Sequence, residues 1–421
     1  MQLAIFQPRF QQVGGAERLA AMQAAYFQSQ AIDVKVVTMG FDPTLWRDQL
    51  GTVPVVCVAK RRWTDLFTAW SRLAKLRRRA QRAAAHLRGC DVAIAHNYPC
   101  STMLAVSDIP ARKIWQCNEV PKNLHVREGN PAMAARVAAA GGGAAEEVSR
   151  AFARQLRAYD RALARKASLH ARRAFDVKNV RRFDEVYAIS QFSRDNARRI
   201  YGRCRAEIIP PMVRFPSPIH RRSGLDRSGL HILVHSRLER PKNIDTVLRG
   251  FARFRQTAGR HARLHVVGDG TYRRRLQCLA RELCPADAIQ FHGYLTELAV
   301  QRVYAACDVL AFLPVDEPFG MVFPEAAAHG LLLIGPSHGG PLEILDGGRL
   351  GWTCDAFAPD ALADVLHEVW ALDDATVERR RAETDRACRA RYAPQTVGPK
   401  LLALLRQVSG TPGAIYGGSR M

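Results

Sequence analysis

The amino-acid sequence predicts an α/β protein of two domains, each built on a parallel sheet, facing one another across a central cleft. Three observations predict it. At 421 residues the chain is too long for one ordinary core. Short apolar runs alternate with helical stretches in both halves, the pattern of a parallel sheet covered on both faces. A break rich in Pro, Ser, Gly and Arg, 209-IPPMVRFPSPIHRRSGLDRSG-229, interrupts that alternation.

In chain order, LAIFQP (3–8), DVKVVTM (33–39), VPVVCVA (53–59), DVAIAHN (91–97), KIWQCN (113–118) and EVYAIS (185–190) read as strands. Helical stretches such as AERLAAMQAAYFQSQ (16–30) lie between them. After the break come LHILVHS (230–236), RLHVVGDG (263–270), DAIQFHG (287–293), DVLAFLP (308–314) and LLLIGPS (331–337). The expected division is a domain over 1–209, a linker over 210–229, a second domain over 230–393, and a terminal helix and tail over 394–421. Two such domains form a ligand cleft between the carboxyl ends of their strands.

Composition restricts the partners. Hydrophobic residues make up 48% and charged residues 24%, so a core forms without staples. Ten scattered cysteines contain no C-x-x-C and no zinc-ligand spacing, which reads as reduced thiols in a cytoplasmic protein. The opening MQLAIFQPRF reads as a first buried strand, not as a signal peptide. No run approaches the roughly 18 apolar residues of a spanning helix. With 62 Lys+Arg against 39 Asp+Glu, the net charge of +23 calls for nucleic acid, acidic lipid or a phosphorylated substrate.

The polar motifs fall just after the apolar runs. Gly14–Gly15 in FQQVGGAERL permit a tight turn before a helix, without the spacing of a dinucleotide fingerprint. Arg237 and Lys242 lie between a strand and a helix, where a guanidinium fork and an ammonium would clamp a diphosphate. Glu317 leaves a strand in VDEPFGMVFPEAAAHG, and Glu325 follows eight residues later. Between them Phe319, Gly320 and Met321 offer main-chain N–H groups at a helix start, with Gly320 allowing close approach. Glu325 can bond a ribose diol and Glu317 sugar hydroxyls; alone, such a pair is also a helix start carrying acids that the dipole favours. Gly339–Gly340 follow a further strand, and Glu343 opens the next helix. No D-x-D occurs, so no metal is expected to bridge phosphates.

The ordered series Arg237…Lys242, VVGDG (266–270), FHGYL (291–295), E-x7-E (317–325) and GGPLEI (339–344) resembles the carboxyl-terminal half of retaining glycosyltransferases of family 4. The GGAERL loop and DEVYAISQFSRDNARRIYG (184–202) also look like that family, over roughly residues 1–405. The resemblance implies the GT-B fold of two Rossmann-like domains, with the acceptor on the first and the nucleotide sugar on the second. It implies that Arg237 and Lys242 hold the donor diphosphate and Glu325 the ribose. Glu317 and the N–H groups of Phe319, Gly320 and Met321 would hold the sugar and phosphate. Gly14 and Gly15 would sit against the phosphates, with Gly268, Tyr294 and Leu295 near the nucleotide and Glu343 at the same site. No cofactor is implied beyond the nucleoside-diphosphate sugar as co-substrate. Mannosyltransferases of lipid-linked glycan assembly often carry a His where this chain has Asn118 followed by Glu119; His96, after the preceding strand, could supply an imidazole. His96, Asn118 and Glu119 are therefore the acceptor-side candidates.

Residues 60–82 hold nine Lys/Arg and one Asp, with Trp63, Phe67, Trp70, Leu73 and Leu76 at helical spacing. Such a segment suits an anionic membrane surface, and a second basic region spans roughly 150–182. The sequence thus predicts a hexosyltransferase, mannose favoured, acting on a glycan or polyprenyl-linked acceptor from the cytoplasmic face of the inner membrane. The 394–421 segment would cross back to the first domain. The alternatives are a sugar-nucleotide epimerase of the same fold and a basic nucleic-acid-binding protein; the latter leaves Glu317, Glu325 and Glu343 without a role, so no nucleic-acid partner is expected.

Overall fold

The computed structural model describes residues 1–58, 72–139, 147–165, 167–216, 224–226, 228–257 and 261–410. The first part runs β1 (Gln2–Gln7), α1 (Gly15–Ser29), β2 (Asp33–Thr38), α2 (Pro43–Leu50), β3 (Val55–Cys57), α3 (Arg72–Leu87), β4 (Val92–Ala95), α4 (Cys100–Val106) and β5 (Arg112–Cys117). It continues through α5 (Pro131–Ala139), α6 (Glu147–Arg165), α7 (Ala167–Val180), β6 (Glu185–Ala188) and α8 (Gln191–Tyr201). The second part runs β7 (His231–His235), α9 (Ile244–Thr257), β8 (Arg263–Val267), α10 (Arg273–Leu283), β9 (Ile289–Gly293), α11 (Glu297–Ala306) and β10 (Val309–Ala311). It closes with α12 (Val322–Ala328), β11 (Leu332–Pro336), α13 (Gly340–Ile344), β12 (Trp352–Cys354), α14 (Pro359–Trp370), α15 (Asp374–Tyr392) and α16 (Pro394–Gly410).

Among the described residues the strands form two six-stranded sheets, ordered β3-β2-β1-β4-β5-β6 and β12-β11-β10-β7-β8-β9. Their pairings are parallel. Read outward from its first strand, each sheet has the same order. Each therefore reverses direction once, between β1 and β4 and between β7 and β10, and ligands bind at such switch points. Each expected apolar run overlaps a strand. The sequence reading missed β12: three residues after a glycine-rich turn are too few to show a period.

Apolar alternation decides which face each helix covers. Leu3 and Ile5 of β1 pack with α1, α2 and α16, whereas Ala4 and Phe6 pack with α3 and α4. Helix α16 comes after the second sheet yet buries Val397, Leu401, Leu404, Leu405 and Val408 in the β1–α1 cluster. Each such burial contributes about 1.5–3 kcal/mol gross, so α16 ties the two halves together. Of the basic segment, residues 60–71 with Trp63, Phe67 and Trp70 lie outside the described residues, as do 217–223 and 227 of the linker.

Burial lowers the pKa of several histidines. His231, His265 and His292 on β7, β8 and β9 stack in a row, with ring nitrogens 3.0 Å apart at both steps. Burial, with the adjacent His231 and His292, pushes His265 down to about 4. Burial alone pushes His96 to about 3, and burial with the nearby Arg18 charge does the same to His235. The unfolded chain takes up these protons near the ordinary 6.5. Stability is therefore complete above that value and is lost as the pH falls towards 3, by about 2 kcal/mol per fully buried ring on reaching about pH 5. Glu325 and Glu343, raised by burial, work in the opposite sense. His96→Leu isolates the histidine share. Urea midpoints should fall between about pH 7 and about pH 5 for the wild type, and fall less for His96→Leu; equal falls would exclude His96 as a source.

Candidate active site

The loops at the two switch points carry the charged side chains. After β7, a single tight turn at Arg240–Lys242 ends on Asn243 with a φ of 55°. Asn243 is fully buried. Its Nδ2 donates to the carbonyls of Leu313 (2.9 Å) and Ala356 (2.6 Å), and its Oδ1 accepts from Thr246 Oγ1 at 2.9 Å. Asparagine tolerates this left-handed backbone. It fixes the turn to the end of β10, and so sets Lys242 opposite the β10–α12 loop. There Lys242 Nζ donates to Glu317 Oε2 at 2.6 Å, with both side chains under one-fifth exposed. Burial pushes Glu317 up, but Lys242, Lys122 and Arg237 outweigh it and hold the carboxyl below its ordinary range. Arg237 itself is exposed at the cleft.

Gly268 shows why this wall needs glycine. Its φ is 124°, and a Cβ there would collide with the Ser236 carbonyl just before Arg237. Its N–H donates to Gly293 O at 2.8 Å, joining the VVGDG loop to the loop of Tyr294 and Leu295. Tyr294 is 58% exposed, one of the most exposed large apolar side chains described. At the other end of the E-x7-E pair, Gly320 has a φ of 95°.

Glu325, in α12, has a partner that sequence reasoning missed. Arg18, from the first turn of α1 in the opposite domain, donates to Glu325 Oε1 at 3.1 Å. Glu325 raises the Arg18 pKa despite burial, and Tyr304, Glu297 and Tyr294 add to the effect. Burial raises Glu325, and Arg18 recovers only part of that cost. Tyr304, bonded to His235 Nδ1 at 2.9 Å, also supports Glu325. The signal for Arg18 was its place in the GGAERL loop; its partner, 307 residues away, carried none.

Three further contacts close the cleft. Asp316, at a φ of 52° and buried, accepts the N–H groups of Ala132 and Met133 at the start of α5, both at 3.0 Å. Lys122 Nζ donates to the Asp316 carbonyl at 2.9 Å and pairs with Glu119 at 3.2 Å. Glu343, grouped by the sequence with the donor-binding residues, faces elsewhere. Its carboxylate accepts the N–H groups of Gln191 (2.8 Å) and Phe192 (2.9 Å), because the positive start of α8 is the nearer anion site. Glu343 is a strut between domains in this structure.

On the first-domain side, Gln7, His96 and Asn118 stand at or just beyond the carboxyl ends of the adjacent strands β1, β4 and β5. Gln7 Oε1, both His96 ring nitrogens and Asn118 Nδ2 are buried without a hydrogen-bond partner among the described residues. Such groups each cost about 1–3 kcal/mol, and here they gather at the cleft end of one sheet. Asn118 Oδ1 accepts from Gln116 at 2.8 Å, so a connected amide network ends on the free Nδ2. Glu119 is half-buried and pairs with Lys122.

Gly15 closely faces the second domain. A Cβ there would sit 3.4 Å from Met321 Cγ across the cleft. That is ordinary contact, so Gly15→Ala should fold and work. Gly15→Val forces the domains apart, and displacements of about 1 Å cost about 10²-fold in rate. The kcat/KM values of the two variants against the wild type test this, and equal values for both would remove the role of the glycine.

Comparison with known proteins agrees with this geometry. The crystal structure of Anabaena HepE in complex with UDP superposes with a TM-score of 0.69 at 15% identity, covering 97% of this chain and 100% of that one. The two facing sheets with their shared cleft have the GT-B fold. The model for "Glycosyltransferase Family 4" matches residues 13–214, and that for "Glycosyl transferases group 1" matches residues 217–387. Between them the two models span both domains, so the chain is similar to these glycosyltransferases over most of its length. It is 28% identical over 239 residues to a GDP-mannose-dependent alpha-(1-6)-phosphatidylinositol monomannoside mannosyltransferase of Mycobacterium tuberculosis, which covers 53% of this chain and 62% of the relative. It is 29% identical over 213 residues to a glycogen synthase of the same organism, 49% of this chain and 50% of the relative. The chain thus spans between half and two thirds of the length of these curated relatives.

Proposed function

We propose that the protein is a retaining, metal-independent hexosyltransferase. It moves a hexose, mannose first, from a nucleoside-diphosphate sugar to a lipid-linked or polysaccharide-precursor acceptor. The observation that carries this is the convergence of Lys242–Glu317 and Arg18–Glu325 on one interdomain cleft, with Gly15 against Met321 between them. The GDP-mannose dependence of the first relative supports mannose, and the UDP complex of the structural neighbour keeps UDP-sugars in the panel.

In this reading Arg237 and Lys242 take the diphosphate. The N–H groups of Phe319, Gly320 and Met321 bond the phosphate and donor sugar, and Gly14–Gly15 lie over the phosphates. Glu325 takes the ribose diol, Tyr294 and Leu295 flank the base, and Glu317 meets the sugar hydroxyls. As the sugar–phosphate bond breaks, its electron pair stays on the diphosphate oxygen. The two cations, fixed before the reaction, stabilise that charge. The acceptor hydroxyl attacks the same face and the leaving phosphate takes its proton, so neither a base nor a cofactor is needed. The buried, uncharged His96, Asn118 and Gln7 suit a hydroxyl-bearing acceptor. The +23 field and the basic 60–82 segment suit peripheral attachment at the cytoplasmic face of the inner membrane; among the described residues no helix is long and apolar enough to cross one.

A thermal-shift panel of GDP- and UDP-sugars tests the donor, because a ligand of the folded state raises the melting temperature by mass action. Nucleoside-diphosphate release with a prenyl-linked saccharide tests the acceptor. No shift with any sugar nucleotide, or an equal shift in Lys242→Ala, would sink the reading.

A further inference from the structure

A cavity of about 280 Å³ opens between α3, the end of α4 and α7, lined by Arg77, Gln81, Val106, Phe175, Asn179 and Arg182. It lies on the α3–α4 face of the first sheet, opposite the face that packs α1 and Arg18. The lining holds two guanidinium groups and no carboxylate. Arg77 sits 5.5 Å over the Phe175 ring, whose negative face holds the cation in place. Asn179 Nδ2 donates to the Phe175 carbonyl at 2.6 Å, and the Asn179 carbonyl accepts the Arg182 N–H at 3.0 Å. The turn that presents Arg182 is therefore fixed.

Asp108, two residues beyond Val106, is exposed and acts on Lys113; Asp176 and Asp184 are committed elsewhere. Asp176 is buried and bonded to His125 (3.0 Å) and Tyr201 (2.7 Å). Asp184 accepts from Arg112 (3.1 Å) and from the Lys113 N–H (2.7 Å). Burial pushes the Lys113 amine down, with Arg182 adding to the effect and Asp184 and Asp108 opposing it. The carbonyl end of α7 disfavours an anion, but its roughly half charge is outweighed by two guanidinium charges. The volume is below the about 300–1,000 Å³ of pockets for larger ligands, so the cavity suits one small anion and not a sugar nucleotide.

We propose that this cavity binds a phosphate group, gripped by the forks of Arg77 and Arg182 with Gln81 as a neutral donor. Arginine forks match phosphate oxygens in pairs. The phosphate comes either from a lipid headgroup or from solution, and the site stands whether or not the cleft transfers a sugar. Helix α3 also carries Arg78, Arg79 and Arg82, so diffuse attraction has to be separated from a built site.

The test uses the full chain, Arg77→Glu, Arg182→Glu, and Arg79→Glu as an equal charge change on the same helix outside the cavity lining. One arm titrates inorganic phosphate by calorimetry. The other measures flotation on phosphatidylcholine vesicles with and without phosphatidic acid. Each cavity variant should lose about tenfold in affinity while Arg79→Glu loses about twofold or less. A cavity-dependent loss in the phosphate arm alone identifies free phosphate, in the vesicle arm alone a lipid headgroup, and in both arms a site open to either. Equal losses for all three variants, or no binding in either arm, would overturn the proposal.

Discussion

Replacing Lys242 with alanine should lower kcat by about 10²–10³-fold, the usual consequence of removing one fixed charge from a developing anion. The fold should survive. Lys122 and Arg237 still neutralise Glu317 in part, so the loss of stability is about 1–3 kcal/mol. The two effects separate in the double variant Lys242→Ala/Glu317→Gln. Removing the stranded carboxylate recovers stability, whereas turnover stays low because nothing replaces the cation at the diphosphate. Steady-state kinetics at saturating donor and urea unfolding read both. A kcat within a few-fold of wild type would mean that Lys242 only neutralises Glu317.

Arg18→Ala should open the molecule. The Arg18–Glu325 bond joins residues of opposite domains at 3.1 Å, and its loss leaves a carboxyl already raised by burial without its main counter-charge. At about 1–3 kcal/mol, this shifts the open–closed ratio by roughly 5- to 150-fold. Asp316, Lys122 and Glu343 still bridge the domains, so the variant is not expected to unfold. Small-angle scattering should show a larger radius of gyration for Arg18→Ala, with Arg18→Lys intermediate, and the donor KM should rise in the same order. Scattering identical to wild type would show that the other contacts hold closure alone.

The sequence displayed this site unevenly. Strand–helix alternation exposed both sheets, because fully buried parallel strands leave continuous apolar runs such as LLLIG. Arg237, Lys242, Glu317 and Glu325 could be picked out because switch-point loops are short and each follows a readable strand. What could not be read was pairing between distant segments. The partners of Arg18, Asp316 and Glu343 lie 307, 184 and 152 residues away, and no local pattern encodes such a contact. Glu343 is an example: an acid at a helix start looks the same whether it meets a ligand or the N-terminus of α8, where its carboxylate bonds here. Asp316 carried a weak hint, an aspartate able to take positive φ in a Pro/Gly bend. His96 and Asn118 were legible as polar strand ends and Gln7 was not singled out; the burial of all three could not be read.

The central claim is that the cleft grips a pyrophosphate. Calorimetric affinities for GDP, GMP and guanosine, and for the uridine series, measured on wild type and on Arg237→Ala/Lys242→Ala, address it most directly. The expected result is a diphosphate bound about 100-fold more tightly than the monophosphate, consistent with two charge-assisted contacts, with that gap lost in the double variant. Equal affinity for diphosphate and monophosphate in the wild type would contradict it.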